Sequence, residues 1–421
     1  MNQNLVVNPY LSIAFGTESA DSCTCVAPKP GTGLQILRFV EGDQPGLYQL
    51  FRDLSLISLE ASDVTESVSP DECGILLDHA ILIDQAESPK NILFQCLLDE
   101  VPVRPVTKDI YPVMVNPTLR FEPVALENFR TWTVARHLSP YQPSVWVKDP
   151  VTNVESGYWL SESEAALISG FVPGQKPELP NDPHLVNRLL QAKIIVFGED
   201  VKTEDRFRAE AVNSAREEFS DKKYTVLRSL FPPEQMAAMR KFYRDYIAQG
   251  FMPFGDLQVT NRYRQYDEPF AAFIHKMLAP VMSDIVGEPV KPSYCYAASY
   301  KDSAVLNPHT DRLLCEFSIS FQVDYEPEPA GHLSPWGLYV APFEWSGELP
   351  AVGARLDWDE FSDESAGTAV YLASGDGLIY KGRELVHYRY ALPTGHRSTS
   401  LFFHYVAADF DDALIPHVPG D

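Results

Sequence analysis

Asn307-Pro308-His309-Thr310-Asp311 is the stretch on which the fold of the C-terminal half turns. A histidine and an aspartate two residues apart, at the end of a strand-like run, place both side chains on one side of an extended chain. A second strand-like region, 377–386, runs into His387. Two imidazoles and one carboxylate on one face of a metal leave the other coordination positions open, a donor set that suits Fe(II). Ten residues beyond His387 stands Arg397, with Thr399 two further on. The planar fork of a guanidinium grips both oxygens of a carboxylate, and Thr399, on the same side of that strand, adds a hydroxyl to the same carboxylate.

Working outward, the chain from Tyr224 onward reads as strands with a few helices. Residues 224–231 form a strand. Residues 232–249 form a helix with Met236, Met239, Tyr243, Tyr246 and Ile247 at helical spacing, and 269–286 form a second helix. The runs 292–300, 316–323, 336–342, 368–373, 377–380 and 398–406 are strands. Many short strands separated by turns predict a sandwich or jelly-roll barrel, so the fold class is α+β with flanking helices.

His-x-Asp, then His387 seventy-six residues after Asp311, then Arg397 at plus ten, all in a β-rich frame, resembles the Fe(II)/2-oxoglutarate-dependent oxygenases, most of all their prolyl-hydroxylase-like branch. The resemblance spans roughly residues 220–408. It implies a double-stranded β-helix (jelly roll) that holds Fe(II) through His309, Asp311 and His387. It also implies 2-oxoglutarate as co-substrate held by Arg397, O2 as the oxidant, and Tyr300, on the strand before the motif, facing the co-substrate. The implied products are succinate, CO2 and an alcohol made from an aliphatic C–H. Asp311 fills the third ligand position, which within that family favours hydroxylation or desaturation over halogenation.

Other residues near the motif have plainer readings. His332 decorates a loop, His396 points away from the side of Arg397, and His404 is a hydrogen-bonded core residue. Arg383 and Arg389 flank His387, as structural ion pairs or as substrate contacts. Arg312 and Glu316 line a channel or bridge at the surface. Trp336 and Tyr339 wall the pocket or pack the sheet. Asp376, between two glycines, is a turn residue.

The N-terminal half has a different texture. Residues 1–32 are polar and punctuated by Lys29-Pro30-Gly31-Thr32-Gly33, which predicts a loosely ordered lead-in. Residues 33–200 read as an α+β, winged-helix-like region, with 34–105 and 131–197 as two degenerate modules. In the first, Ser69 caps a helix opened by Pro70, Asp71 and Glu72; the stretch 91–98 is strand-like. In the second, 144–150 is a strand entering a turn and 158–160 a returning strand. There Ser161 and Glu164 form a capping box, and a helix from Leu185 runs into a short strand ending at Val196. The run 158–170 with 185–196 resembles the small winged-helix peptide-binding domain of pyrroloquinoline quinone biosynthesis, which implies a module that holds a peptide. The charged stretch 201–223 is a solvated linker helix, followed by the oxygenase-like domain, 224–421.

Composition bounds the partners. A net charge of −24 and a pI near 4.8, with no Lys/Arg run, argue against nucleic acid. No stretch reaches the roughly 18 apolar residues of a membrane span, and the N-terminus lacks a signal-peptide pattern, so the expectation is a cytoplasmic protein with reduced thiols. Six scattered cysteines are no disulfide scaffold, and Cys23-Thr24-Cys25 reads as a surface segment. The expected substrate is a peptide or peptidyl amino acid. The alternative is a small metabolite, with the N-terminal region as a lid or as the dimer surface of a homo-oligomer. Two further readings are a binding protein on the same fold and a cupin-like metal enzyme that ignores 2-oxoglutarate.

Overall fold

A computed structural model describes residues 4–17, 19–90, 92–102, 113–122, 143–148, 154–256, 258–341 and 367–411. The predicted features at Asn91, Pro105, Thr131, Asp149-Pro150 and Pro342 lie outside the described residues. The chain divides into two compact units, one of residues 1–92 and 242–264, the other of 93–241 and 265–421.

In the first unit, the described residues of 1–32, the expected loosely ordered lead-in, carry strands. β1 (Leu5–Val7) is followed by an antiparallel sheet of β2 (Ser12–Phe15), β3 (Ser22–Lys29) and β4 (Gly33–Val40). Three helices follow, Pro45–Leu56, Ala61–Ser67 and Pro70–Asp78, and then β5 (Leu82–Asp84), which returns to pair with β1. The Pro-Gly-Thr-Gly run is a hairpin loop, with Gly31 and Gly33 at φ 74° and 105°, a backbone region open to glycine without steric cost. Because β3 is the central strand, its alternate side chains Cys23 and Cys25 are buried against Leu47 and Phe51, not on the surface. Their sulfurs lie 3.7 Å apart as free thiols, and burial pushes both pKa values up.

The second unit repeats this order of strands, with two helices among the described residues where the first unit has three. β6 (Val113–Val115) precedes an antiparallel sheet of β7 (Arg120–Glu122), β8 (Ser144–Lys148) and β9 (Glu155–Trp159). Helices Glu162–Ile168 and Pro183–Gln191 lead to β10 (Ile195–Phe197), which pairs with β6. Both expected N-caps are in place: Ser69 and Ser161 each complete a capping box with the glutamate three residues on.

The likeness between the two modules reaches individual hydrogen bonds. Val7-Asn8-Pro9 and Val115-Asn116-Pro117 occupy equivalent places. Asn8 Nδ2 donates to the carbonyl of Ala80 (3.0 Å) and Asn116 Nδ2 to that of Lys193 (2.8 Å). Ala80 and Lys193 both stand at φ 55°, just past the last helix of their module. In each case the next amide reaches back to the last turn, Ile81 to Leu76 and Ile194 to Leu189, closing a Schellman motif without glycine. The buried asparagine therefore ties the helix exit to the first strand. Asn8→Ala or Asn116→Ala takes the side-chain donor from these carbonyls, at a cost of about 1–3 kcal/mol, and is expected to lower the melting temperature of its unit by roughly 3–10 °C. Unchanged melts would remove the lock from the account.

From helix Gly198–Lys222 onward the architecture is mixed helix and antiparallel sheet. β11 (Tyr224–Leu227), helix Pro233–Ala248, β12 (Arg262–Tyr266) and helix Pro269–Val286 precede β13 (Val290–Lys301) and β14 (Leu306–His309). Then come β15 (Phe317–Glu326), β16 (Leu338–Val340), β17 (Thr368–Val370), β18 (Gly377–Tyr380), β19 (His387–Arg389) and β20 (Arg397–Ala407). They form a six-stranded sheet, β11-β18-β15-β20-β13-β12, and a four-stranded sheet, β14-β19-β16-β17. Among the described residues no helix is long and apolar enough to cross a membrane.

The register of β20 sets the two faces of the large sheet. Phe403 and Tyr405 pack on the ring of His275 from helix Pro269–Val286, and the Tyr405 hydroxyl donates to the His275 carbonyl (2.8 Å). Side chains alternate along a strand, so Ser398, Ser400, Phe402 and His404 look the other way. Their cross-strand neighbours on that inner face are Tyr294, Tyr296, Ala298 and Tyr300 of β13, and Ser318, Ser320 and Gln322 of β15. Tyr380, opposite Ser318, joins them from β18.

Candidate metal centre

β14 and β19 are neighbours, and their register sets His309 directly opposite His387. The rings lie 4.3 Å apart between centroids. Asp311, just past the end of β14, turns its carboxylate toward both: Oδ1 is 3.9 Å from His309 Nε2 and 3.5 Å from His387 Nε2. One donor atom from each of the three lies within 4.8 Å of the others, a spacing that a single ion can bridge.

Each donor is held by a partner of its own. His309 Nδ1–H donates to the Asn307 carbonyl (2.8 Å) and His387 Nδ1–H to the Leu385 carbonyl (3.0 Å). Those bonds fix the tautomers, with Nδ1 carrying the proton and Nε2 the lone pair that a metal would take. The Asp311 amide donates to the Gly382 carbonyl (2.8 Å), and the Ser318 hydroxyl donates to Asp311 Oδ2 (3.0 Å). Ser318 in turn receives a hydrogen bond from His404 Nδ1 (2.9 Å). Burial pushes His404 down to about 4 against the pull of Asp311, so its ring is neutral and suited to this relay. Burial acts to raise the Asp311 pKa, but the nearby His387, His404 and His309 hold it well below the usual carboxylate range. The carboxylate is therefore charged across the neutral pH range, as a ligand must be.

Asp311, Cys315 and His404 also lie close enough to share an ion. There the Cys315 sulfur sits 3.0 Å from the Tyr294 hydroxyl, burial drives its pKa up, and His404 is engaged with Ser318. That cluster supports Asp311 and is the more buried of the two. In the His309–Asp311–His387 set the side chains of His309 and Asp311 are each 12% exposed.

The remaining expected site residues separate. Tyr300 is buried on the inner face, its ring 5.1 Å from that of Trp336. Arg397 and Thr399 share a side of β20, but it is the side opposite His404. Instead of reaching the triad, Arg397 is partly exposed and pairs with Glu326 (3.6 Å), its register partner on β15. The Thr399 hydroxyl donates to Ser299 Oγ (2.9 Å). His396, on the other side from Arg397, meets the Tyr325 hydroxyl at 2.8 Å. Arg383 makes the expected ion pair, with Glu316 (3.3 Å). Arg389 does not: it makes no ion pair among the described residues and lies buried, its guanidinium 4.4 Å from the Trp336 ring. Ser318 and Gly382 had no signal in the linear pattern. The signal for Arg389 was its spacing, two residues past His387 on one strand and therefore on the ligand's side.

No protein-family model and no curated protein matches this sequence. Among solved structures, the chain is similar to the non-haem α-ketoglutarate-dependent epimerase SnoN from nogalamycin biosynthesis, with 16% identity over 51% of this chain and 90% of that one and a TM-score of 0.38. It is similar to HygX from Streptomyces hygroscopicus with nickel, 2-oxoglutarate and hygromycin B bound (14% identity, 47% and 88% covered, TM-score 0.37). A Pseudomonas putida prolyl-4-hydroxylase matches at 14% identity over 47% of this chain and 98% of that one, with a TM-score of 0.33.

Proposed function

We propose that the region from Tyr224 onward is the double-stranded β-helix of an Fe(II)- and 2-oxoglutarate-dependent oxygenase that hydroxylates an aliphatic C–H. The observation that carries the reading is the convergence of His309, Asp311 and His387, two imidazoles and one charged carboxylate, at mutual distances that one ion spans. The donor set fits ferrous iron: nitrogen and carboxylate donors on one side, with the Nε2 atoms aimed inward by bonds at Nδ1. With 2-oxoglutarate and O2, the bound iron would supply C–H oxidation with release of succinate and CO2. The chain's own part is to hold the three donors rigid, to keep Asp311 ionised, and to wall the centre with Tyr380, whose ring lies 4.9 Å from that of His387.

The substrate in this reading is a peptide or peptidyl amino acid. Its support is the pair of N-terminal modules, each a three-stranded sheet beside helices, which we read as peptide-holding and winged-helix-like. The strongly acidic chain favours a basic peptide electrostatically. The experiment is succinate formation from 2-oxoglutarate by the full chain loaded with Fe(II), alone, with candidate peptides, and with free amino acids. We expect turnover that depends on Fe(II) and rises with peptide. Stimulation by a free amino acid alone would move the substrate to small metabolites, and no succinate under any condition would sink the oxygenase reading.

A further inference from the structure

Resting on the oxygenase reading, we infer that Arg389, not Arg397, receives the remote carboxylate of 2-oxoglutarate. Arg389 lies two residues past His387 on β19, so both side chains leave the same face of that strand. Arg389 is buried, with 2% of its surface exposed, and Nη1 has no hydrogen-bond partner among the described residues. A buried cation is kept only where something compensates it. Here the compensation among the described residues is the face of Trp336, which steadies the guanidinium plane while leaving its donors unused.

The surroundings add further polar groups. Trp336 is itself fixed by an indole N–H bond to the Tyr390 carbonyl (2.7 Å) and by the ring of Tyr300. Tyr300 and Tyr380, the groups whose electrostatic influence Arg389 feels, both belong to the inner face of the large sheet. The same face carries Ser320 and Ser400, whose buried hydroxyls are without partners among the described residues. One guanidinium fork and two hydroxyls, all buried and unused, on the ligand side of His387, match what a carboxylate brought in by an iron chelator requires. Arg397 already has a carboxylate, Glu326, on the other side of β20.

The test reads the remote carboxylate alone. The full chain, loaded with Fe(II) under anaerobic conditions, is titrated with 2-oxoglutarate and with 2-oxobutanoate, which chelates iron through the same two atoms but lacks the second carboxylate. Binding is followed by calorimetry and by the visible charge-transfer band of the chelate. Wild type is expected to prefer 2-oxoglutarate. In Arg389→Gln the preference should shrink by about 10- to 100-fold, through weaker 2-oxoglutarate binding with 2-oxobutanoate unchanged. Arg389→Lys, which keeps charge but not the fork, should fall between, and Arg397→Gln should keep the preference. Fe(II) stoichiometry of each variant shows that the fold and the triad persist. Loss of the preference in Arg397→Gln with its retention in Arg389→Gln would overturn the assignment and leave the oxygenase reading standing. Absence of saturable 2-oxoglutarate binding by wild type would sink that reading and this inference together.

Discussion

His387→Ala is expected to abolish both ferrous-ion binding and succinate formation while leaving the chain folded. His387 is the ligand with the most restrained environment. It lies within β19, buried, with Nδ1 spent on the Leu385 carbonyl and Nε2 aimed at Asp311. Losing a mere supporting partner of a metal ligand costs roughly 10- to 100-fold in affinity; losing the ligand itself should exceed that. The same change removes the largest favourable influence on the Asp311 carboxylate, which leaves a buried charge less compensated. Asp311→Ala removes both the charge and the third donor, and should act as strongly. Metal content after reconstitution and calorimetric titration with Fe(II) are the measurements. A His387→Ala protein that still binds one equivalent with near-native affinity would mean that the metal sits elsewhere, the Asp311–Cys315–His404 cluster being the first place to look.

The part of this centre legible in the linear pattern was the part that rests on local geometry. His309 and Asp311 are two apart, so any extended conformation puts them on one side, and the end of a β run supplies that conformation. The helix 269–286 was readable because its ends carry their own chemistry: the Glu268 side chain accepts from the amides of Phe270 and Ala271, and Gly287 leaves the helix at φ 83°. Arg397 and Thr399 show the limit. Spacing says that they share a side of β20, and they do; it cannot say which side, because that is set by pairing with strands roughly seventy to a hundred residues away in sequence, Arg397 opposite Lys301 and Glu326. A one-residue change of phase exchanges the whole inner set for the outer one. The structure's phase puts Ser398, Ser400 and His404 inside, and the inward guanidinium comes from β19.

A related blindness hid the N-terminal strands. Cys23, Cys25 and Ala27 alternate along β3 as a half-buried strand should, yet apolar Val26 between two of them blurs the alternation, and a Gly-rich hairpin loop reads like disorder. The repeated Val-Asn-Pro was visible at 7–9 and 115–117. Its meaning needed the two positive-φ residues, Ala80 and Lys193, that the asparagines hold from more than seventy positions away.

Gly382→Ala is expected to weaken ferrous-ion binding by about 10- to 100-fold, the size of effect seen when the support of a metal ligand is disturbed. The glycine follows β18 in the turn that leads toward His387, and its carbonyl accepts the Asp311 amide. A methyl group there would collide with Asp311 Oδ2, lie 2.6 Å from the Cys315 carbonyl oxygen and 2.7 Å from Ser318 Oγ. None of these can simply swing aside: one is backbone, one is the ligand, and one is hydrogen-bonded to the ligand. Asp311 must therefore move relative to His309 and His387. Overpacking of this kind costs about 1–3 kcal/mol in stability, so the variant should fold with a modestly lower melting temperature and a disproportionate loss of metal. Gly395→Ala is the matched comparison. Its backbone is at φ 79° with nothing within 4 Å of the added methyl, so it bears a conformational cost of about 1 kcal/mol and should bind Fe(II) as wild type does. Equal metal affinity in the two variants would show that the close packing around Gly382 does not position the carboxylate ligand.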